Sequence, residues 1–426
     1  MINILIVGSG GREHAFTWKA SQSDLVEKIF VAPGNAGTSL EPKAENINIS
    51  ASDIDALVSF SKKKDINLVI VGPEDPLVNG ITNEFTKAGI NCFGPNSEGA
   101  QLEGSKDFAK SFMKKYNIPT ASYESFTDAE LAKLYVQEIG LPLVIKADGL
   151  AAGKGVVIVE DFETANKTID EFINETKYGD ASKKIIIEGF LIGQELSYIV
   201  MVNGTEYLPL ATSQDHKTIG EGDTGLNTGG MGAYSPVPFL DSELDKKIIR
   251  EVIEPTVEGL YKDGINFRGF LYAGLMIDNN SNPKVLEYNC RFGDPETQPV
   301  MLRLKSDLIE MIQACFSTNI SNYKINWDKR SAMGVVMSSI GYPKSYETGK
   351  EIFGLKSFSE KEDIKVFHSG TFSENEKILT NGGRVLCVTA LGDDLNQSFQ
   401  NAYDGVEKID WEGKYFRKDI GFRVMK

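Results

Sequence analysis

The sequence has few of the side chains that bind metals in structural sites. Its 426 residues include only three histidines and four cysteines, and no two cysteines form a C-x-x-C pair. These counts argue against a structural zinc site and against a multi-histidine metal centre. The scattered cysteines are instead expected to be buried, inert thiols in a reducing cytoplasm.

Positive charge and long apolar runs are also scarce. Lys and Arg number 45 against 60 Asp and Glu, which gives a formal net charge of −15. Such a surface repels nucleic acid and anionic membranes, so neither is an expected partner, although a local cluster of cations could bind a phosphorylated substrate. No run approaches the ~18–20 apolar residues that span a bilayer. The first run, 2–7, follows no basic residue and is not expected to be a signal peptide.

The length predicts about two to four domains. In residues 1–101, apolar runs such as NILIVG and INLVIVG alternate with helical patterns such as SDIDALVSFSKKKD. This alternation predicts a parallel α/β sheet that is covered on both faces. The runs end in the loops GSGGRE, PGNAG and GPEDP. Because the carboxyl ends of parallel strands meet at one edge of a sheet, these loops predict a single ligand crevice.

The pattern changes after residue 101. Residues 102–325 combine helices, antiparallel-looking strands and glycine-rich loops, and residues 326–426 predict a small α+β lobe with strands in AMGVVMSSIGY and GRVLCVTALG. The predicted fold class is therefore a multidomain protein of α/β and α+β type.

The glycine cluster after the first strand invites comparison with a dinucleotide-binding loop. Gly8 and Gly10 fit G-x-G-x-x-G, but Glu13 stands where the third glycine should be, and its charge would repel a pyrophosphate. Two interpretations remain. The loop and Arg12 hold a single phosphate while Glu13 accepts from a sugar hydroxyl or amine, or the glycines merely allow a tight strand-to-helix turn.

A second glycine-rich segment, DGLAAGKGV (148–156), is not a P-loop. It is one residue short, it has Gly155 where Ser or Thr should bind magnesium, and it leads into a strand. A glycine-rich flap between two strands could instead close over a triphosphate, with Lys146 and Lys154 supplying charge. The alternative is a flexible surface hairpin. Glu188 and Glu195, in IIIEGFLIGQELS, could border a nucleotide or lie on a solvated face.

The strongest local signal is KVLEYNCRFGDPE (284–296). Glu287 and Asn289 are two residues apart and therefore share one face of a predicted strand. Carboxylate and carboxamide oxygens suit magnesium, which completes its shell with water and phosphate oxygens. Arg291 is expected to continue this face and to clamp a carboxylate or phosphoryl oxygen. A surface ion-pair cluster is the alternative.

One loop is too long and too rich in glycine to be a simple connection. SQDHKTIGEGDTGLNTGGMGAYSP carries three adjacent ionisable residues, Asp215, His216 and Lys217. Loops of this length in compact domains are usually functional or disordered. His216 is equally compatible with a plain surface position.

Taken in order, GSGGREHA, PGNAG, VGPEDPL, GLAAGKGV, NTGGMGAYSP and LEYNCRFGDPE resemble the glycinamide ribonucleotide synthetase (phosphoribosylamine–glycine ligase) family of the ATP-grasp superfamily. The resemblance covers essentially the whole chain. It implies an N-terminal α/β (pre-ATP-grasp) domain over 1–101, an ATP-grasp domain over 102–325 with a mobile lid at about 120–190, and a C-terminal α+β domain over 326–426.

The resemblance also implies an activity, the second step of purine synthesis. ATP phosphorylates the carboxylate of glycine, and the amine of 5-phosphoribosylamine attacks the acyl phosphate to give the amide, ADP and phosphate. The implied cofactors are ATP and Mg²⁺ or Mn²⁺, and the implied partners are these small molecules only. The chain is expected to be cytoplasmic and a monomer or weak dimer.

Site residues follow from the resemblance position by position. The nucleotide is expected at Lys106, Lys146, Gly153, Lys154, Gly155, Glu188, Gly189, Phe190, Leu191 and Glu195. The substrates are expected at Gly10, Gly11, Arg12, Glu13, Asn35, Asp75, Asp215, His216, Lys217 and Arg291. The metal is expected at Glu287 and Asn289, and catalysis is assigned to Arg291, Lys146 and Asp215.

Three other functions compete with this interpretation. Glu13 and the magnesium-like strand disfavour a nicotinamide-dependent oxidoreductase. A catalytically silent ATP-binding sensor is expected to lack Glu287, Asn289 or Arg291, and all three are present. A sister ligase that acts on another nucleotide or on bicarbonate is the remaining alternative.

Overall fold

A computed structural model describes residues 1–151, 155–317, 320–358 and 363–425. Its N-terminal part is a parallel five-stranded sheet in the order β3-β2-β1-β4-β5. The strands are β1 Ile2–Gly8, β2 Val26–Pro33, β3 Ala44–Asn46, β4 Ile66–Val71 and β5 Asn91–Phe93. The helices are α1 Gly11–Ser21, α2 Ile54–Lys63, α3 Glu74–Val78, α4 Ile81–Lys87 and α5 Ser97–Gly104.

Strand β1 shows why this sheet is buried on both faces. Ile4 and Ile6 lie in one hydrophobic cluster with residues of α1, whereas Leu5 and Val7 lie in another cluster with residues of α2 and α4. Alternate side chains of a strand point to opposite faces, so an uninterrupted apolar run requires cover on both sides. The prediction of a parallel, doubly covered sheet is therefore confirmed.

The central part contains two antiparallel four-stranded sheets, in the orders β6-β9-β7-β8 and β11-β10-β16-β17. The first contains β6 Tyr123–Phe126, β7 Leu143–Ala147, β8 Val156–Val159 and β9 Ile185–Gly189. The second contains β10 Gln194–Asn203, β11 Glu206–Pro209, β16 Arg268–Ile277 and β17 Pro283–Asn289. Residues 190–193 form a short linker that joins the two sheets.

Helices flank these sheets. They are α6 Lys106–Lys115, α7 Ala129–Ile139, α8 Phe162–Ile169, α9 Ser242–Ile248, α10 Glu254–Lys262, α11 Thr297–Arg303 and α12 Leu308–Ala314. A π-turn at Ile249–Ile253 connects α9 to α10. The segment ELDKKIIREVIEPTVEGLYK is therefore helical, with a π-turn in its middle.

The C-terminal part is built on a sheet that reaches back into the central part. Its order is β12-β15-β18-β22-β19, with β23 paired to β18. Its strands are β12 Gln214–Asp215, β15 Gly232–Ser235, β18 Ser331–Ser339, β19 Ile364–His368, β22 Arg384–Gly392 and β23 Lys414–Tyr415. Two hairpins, β13 Thr218–Gly220 with β14 Thr224–Asn227 and β20 Thr371–Glu374 with β21 Lys377–Thr380, and helix α13 Leu395–Val406 complete the fold.

Asp215 belongs to this C-terminal sheet, although it lies before residue 326 in the sequence. Strand β15 pairs with β18 from Gly232 to Ser235, and β12 pairs with β15. The strands predicted in AMGVVMSSIGY and GRVLCVTALG are β18 and β22. No helix within the described ranges is long and apolar enough to cross a membrane.

Candidate active site

A buried carboxylate between two lysines lies where α6 meets the first central sheet. Glu188 Oε1 is 2.8 Å from Lys146 Nζ, and Glu188 Oε2 is 2.8 Å from Lys110 Nζ. Burial alone would raise the pKa of Glu188, but Lys146 and Lys110 lower it overall. Burial lowers the pKa of Lys110 to about 8. The Glu188 side chain is thus an internal counter-ion rather than an exposed nucleotide ligand.

A third lysine lies next to this pair. Lys106 begins α6, and its ammonium donates to the carbonyl oxygens of Asp148 (3.3 Å) and Gly149 (3.2 Å). Burial, and then the charge of Lys146, lower the pKa of Lys106. Two ammonium groups that repel each other in a partly dry site are stabilised by an incoming anion. The pair Lys106 and Lys146 is therefore suited to hold phosphate oxygens.

The predicted flap begins from this sheet. Ala147 N donates to Gly155 O at 2.8 Å, so the two strands around the flap stay paired as far as Gly155. Gly153 and Lys154 lie outside the described residues.

Part of the segment 188–191, which was predicted to bind the nucleotide, lies in the linker between the two central sheets. Gly189 ends β9 and donates its N–H to Ser122 O at 3.0 Å. The side chain of Phe190 is 38% exposed, and Leu191 is half-buried. An apolar, partly exposed linker at a junction of two sheets can contact a flat aromatic ring, and its backbone groups remain available to the ring edge.

The most concentrated charge cluster centres on Lys217. Its ammonium lies 3.0 Å from Glu287 Oε1 and 3.7 Å from Glu195 Oε2. Burial opposes this charge, yet Glu287 and Glu195 raise the pKa of Lys217 well above its ordinary value. Lys217, with smaller contributions from Lys146 and Lys106, lowers the pKa of Glu287 to about 2. Glu287 is therefore ionised at neutral pH.

Asn289 lies two residues after Glu287 on β17 and is buried. Its carboxamide makes no hydrogen bond to another described residue. An ionised carboxylate and a free carboxamide on one strand face are hard oxygen donors of the type that Mg²⁺ or Mn²⁺ binds. Within the described ranges no group of three or more His, Cys, Asp or Glu could hold a metal. A cation here would thus need oxygens from a phosphate ligand and water.

Arg291 does not continue the face of Glu287 and Asn289, because β17 ends at Asn289. Its guanidinium instead donates from Nε to Glu74 Oε2 at 3.2 Å and lies, through Nη2, 2.8 Å from Glu103 Oε1. Nη1 donates to Phe292 O at 3.3 Å. These contacts use three of the five guanidinium N–H groups. One N–H on each terminal nitrogen remains, which suffices for a carboxylate.

The two carboxylates beside Arg291 have opposite pKa shifts. Arg291 lowers the pKa of Glu74 to about 2. Burial raises the pKa of Glu103 to about 7 despite the same guanidinium. Glu103 also accepts from Cys290 N at 2.7 Å, so it fixes both the backbone and the side chain of this segment.

Asp215 lies in a buried acidic neighbourhood. It accepts a hydrogen bond from His216 N at 2.6 Å. Burial, and then Glu296, raise the pKa of Asp215 well above its ordinary value. Glu296 in turn accepts from Tyr272 Oη at 2.8 Å and Ser197 Oγ at 3.2 Å. A buried carboxyl with a raised pKa gains most from a cation, so Asp215 is suited to an ammonium group.

The side chain of His216 lies neither on the surface nor in the acidic neighbourhood of Asp215. Its Nε2 accepts the N–H of Gly421 at 2.9 Å, and its ring lies 6.0 Å from Phe422 and 6.1 Å from Tyr234. Burial, and then Arg423, lower the pKa of His216 to about 3. The side chain therefore points into the interior, away from its neighbours Asp215 and Lys217.

The N-terminal glycine loop is arranged around Glu13. Glu13 Oε2 accepts from Gly10 N at 2.5 Å, and Glu13 Oε1 accepts from Arg12 Nε at 2.7 Å. Arg12 Nη1 donates to Phe292 O at 3.0 Å. A Cβ on Gly72 would overlap Glu13 Oε1, which explains the glycine at the end of β4. The Gly10 N–H thus donates to the Glu13 carboxylate and is not free to bind a phosphate.

Gly11 has close neighbours from two distant segments. A Cβ there would overlap Gln298 Nε2 and approach Ser369 Oγ to 2.7 Å. The side chain of Asn35 is also engaged within the protein, since its Nδ2 donates hydrogen bonds to Ser9 O and His368 O, both at 2.8 Å. Both residues hold the crevice together.

Asp75 is exposed on α3 beside Glu74. Partial desolvation of its carboxyl group, and then the charge of Glu74, raise the pKa of Asp75. Among the predicted crevice side chains, Asp75 is the one that faces solvent.

Four charged residues of this region were missed in the sequence: Glu74, Glu103, Lys110 and Arg384. Lys110 could have been found, because it lies four residues after Lys106 on the same helix face. Arg384 carries no local signal. Its Nη1 donates to Gly229 O at 2.5 Å and Asp294 O at 2.6 Å, so it brings the C-terminal sheet to the cleft.

Three consecutive segments match a family of known proteins, phosphoribosylglycinamide synthetase. Residues 2–103 match its N domain, residues 104–297 its ATP-grasp (A) domain, and residues 332–423 its C domain.

Close relatives cover the full length. The chain is 53% identical over 424 residues to a phosphoribosylamine–glycine ligase of Vibrio vulnificus, with 100% of this chain and 99% of the relative covered. It is 52% identical over 425 residues, with the same coverage, to the ligase of that name from Haemophilus influenzae.

Solved structures agree with these matches. The phosphoribosylamine–glycine ligase of Thermotoga maritima superposes with a TM-score of 0.82 at 34% identity, over 98% of this chain and 100% of that chain. A biotin carboxylase of Campylobacter jejuni, at 15% identity and a TM-score of 0.75 over 99% of this chain and 94% of that chain, shares the fold alone. The chain therefore belongs to the phosphoribosylglycinamide synthetase family, as its motifs predicted.

Proposed function

We propose that this chain catalyses the ATP-dependent ligation of glycine to 5-phosphoribosylamine, giving glycinamide ribonucleotide, ADP and phosphate in purine biosynthesis. Family membership and about 52–53% identity to ligases of that name support the reaction. The observation that carries the proposal is the ion pair between Lys217 and Glu287 at 3.0 Å, next to Lys146, whose ammonium donates to Leu286 O at 3.2 Å.

The chemistry requires such a cluster. A carboxylate is a poor electrophile until a phosphoryl group converts one of its oxygens into a leaving group. Negative charge then spreads over the transferring phosphoryl group, and pre-positioned cations stabilise it. Lys106 and Lys146 are the proposed phosphate ligands. The backbone of residues 188–191, together with Glu195, is proposed to contact adenine and ribose.

Glu287 and Asn289 are the proposed ligands of Mg²⁺ or Mn²⁺. When bound, the cation supplies charge neutralisation at the phosphate oxygens. Lys217 keeps Glu287 ionised, and an ionised carboxylate is the form that a divalent cation requires. The ion pair with Lys217 also means that the ammonium and the cation share one carboxylate.

Glycine is proposed to lie between Asp215 and Arg291. The buried carboxyl of Asp215 can accept the ammonium of glycine, and the two unused N–H groups of Arg291 can donate to the carboxylate. Glu74 and Glu103 hold the guanidinium in one orientation, so little reorganisation is needed when substrate binds. His216 would act only by fixing the backbone next to Asp215.

Phosphoribosylamine is proposed to bind at the crevice formed by Gly10, Gly11, Asn35 and Asp75. Asp75 would contact the sugar directly, whereas Arg12, Glu13 and Asn35 would shape the loops around it. The amine then attacks the carbonyl carbon of glycyl phosphate and loses a proton. A C–N bond forms, the C–O bond to the phosphate breaks, and phosphate leaves with the C–O bonding electrons on its oxygen. No side chain becomes covalently attached in this scheme.

The cellular setting is part of the proposal. The four cysteines are free and buried, which suits a reducing cytoplasm. We propose that the chain acts there on small molecules only, as a monomer or weak dimer. Sedimentation at several protein concentrations would test the oligomeric state.

The test of the reaction measures phosphate release while ATP, glycine and phosphoribosylamine are omitted one at a time. Full release is expected only with all three, and ¹⁵N-glycine should appear in an amide product. The matched control is Glu287→Gln, which keeps the shape of the side chain and removes its charge. Phosphate release that ignores glycine would contradict the proposal and favour a sister ligase.

A further inference from the structure

The last described residues contact the segment that carries Asp215 and Lys217. Gly421 N donates to His216 Nε2 at 2.9 Å, and Arg423 Nη1 donates to Asp215 O at 3.4 Å. Both contacts are made to groups that flank the candidate glycine and nucleotide sites. The C-terminal residues are therefore close to the cleft although they are far from it in sequence.

Two arginines of this C-terminal segment converge on one carboxylate. Arg417 Nη1 lies 3.1 Å from Asp223 Oδ1, and Arg423 Nε donates to Asp223 Oδ2 at 2.8 Å. Asp223 lies in the turn between β13 and β14, and this hairpin begins directly after Lys217 along the chain. Arg417 is fully buried and also donates to Thr218 O at 3.2 Å.

A second carboxylate completes this network. Asp419 accepts from Arg417 Nε and Nη2, both at 2.9 Å, and from Gly222 N at 2.7 Å. Bidentate Arg–carboxylate contacts fix orientation as well as charge. Asp419 thereby holds the turn through the backbone N–H of Gly222, and Arg417 holds it through the side chain of Asp223.

The network reaches Lys217 through its own backbone. Thr228 donates to Lys217 O from its N–H at 2.7 Å and from its Oγ1 at 2.8 Å, which closes the base of the hairpin. Thr218, the next residue, is held by Arg417. The main chain of Lys217 is thus fixed, whereas its side chain is only about two-thirds buried at 31% exposure.

We propose that residues 417–423 are a clamp that positions the ammonium of Lys217 between Glu195 and Glu287, and so sets the affinity of the cleft for a nucleotide with its divalent cation. The clamp acts through Lys217 and touches no substrate itself. This inference rests on the proposed function in one respect, namely that the nucleotide and cation bind at Glu287.

The test is a double-mutant cycle read by calorimetric titration of Mg·ADP. Asp223→Asn removes the carboxylate shared by both arginines, and Lys217→Met removes the ammonium. Because nucleotide phosphates are anionic, each single variant should bind Mg·ADP about fivefold or more weakly, a typical size for coupled contacts. The double variant should bind no more weakly than Lys217→Met.

The controls separate positioning from folding. Lys418→Gln changes an exposed charge inside the same segment and should bind like the unaltered chain. Arg423→Lys keeps the charge and should retain more affinity than Arg423→Gln. If Asp223→Asn lowers the melting temperature strongly, the Arg423 pair of variants serves for the cycle with Lys217→Met.

Unchanged binding in Asp223→Asn and Arg423→Gln, or losses that add to that of Lys217→Met, would overturn the clamp. Such results leave the proposed function intact as long as the unaltered chain binds Mg·ADP. Failure of the unaltered chain to bind Mg·ADP would instead overturn the proposed nucleotide site together with the clamp. Neither reading depends on glycine or phosphoribosylamine.

Discussion

Glu103 Oε1 lies 2.8 Å from Arg291 Nη2. The two residues belong to α5 and to the turn after β17, elements that are far apart in sequence. Glu103 also accepts from Cys290 N, so it holds the arginine by its side chain and by the preceding backbone. The orientation of the proposed glycine ligand is therefore decided by a helix near the end of the N-terminal part.

Glu103→Gln should weaken glycine binding more than nucleotide binding. The amide keeps the shape but lacks the charge that Glu103, with a pKa of about 7, carries above that pH, so we expect the KM for glycine at pH 8 to rise about tenfold, equivalent to about 1.4 kcal/mol. The KM for ATP should change little. Steady-state kinetics with each substrate varied checks this, with Glu98→Gln, an exposed residue of the same helix, as control. Equal increases for both substrates would count against the assignment.

The same carboxyl should make stability depend on pH. Its pKa is about 7 when folded, against an ordinary value of 4.5, so the folded chain holds this proton more tightly than the unfolded chain. Stability from Glu103 is full below about pH 4.5 and is lost as pH rises to about 7, by about 3 kcal/mol in total. Urea unfolding across this window should show a smaller loss in Glu103→Gln than in the unaltered chain. Parallel pH curves for the two chains would refute this prediction.

Glu188→Gln should destabilise the fold strongly. It leaves the ammonium groups of Lys110 and Lys146 buried without their counter-ion, and removal of one member of a buried ion pair costs about 3–5 kcal/mol. Chemical unfolding measures this, with Glu130→Gln as control, because Glu130 pairs with Lys133 on the surface. The control should cost less than about 1 kcal/mol. Equal small effects in both variants would show that the buried pair is not formed.

His216 should remain neutral in the folded chain well below neutral pH. Burial lowers the pKa of His14, His216 and His368, to about 3 for His216. The unfolded chain takes up these protons near pH 6.5, so the stability contributed is full above that value and is lost as pH falls. For His216 the cost should be about 1.4 kcal/mol per pH unit between about pH 6.5 and pH 3. NMR of labelled imidazoles checks this, and titration of His216 near pH 6.5 in the folded chain would contradict it.

Local patterns were sufficient for the parallel sheet and for the C-terminal strands. The apolar run of β1 alternates between two clusters, and the helical spacing of Ile54, Leu57, Val58 and Ser61 predicted α2 correctly. Such patterns depend on neighbours within a few residues, which the sequence contains in full. The expectation for Arg291 differed from the structure because the period of two holds only while the strand lasts, and β17 ends at Asn289.

By itself, the sequence determined the fold class, the family and the identity of the charged groups: the motifs and apolar periods are local, and burial of apolar surface selects one packing of them. Tertiary structure alone decided which charges meet. Glu13 accepts a hydrogen bond at the start of its own helix, and His216 accepts one from the C-terminal segment. Arg384 and Glu103 contact residues of the cleft from elements that are distant in sequence. Ion pairs form between side chains that the fold brings within a few ångströms, and no local pattern encodes that distance.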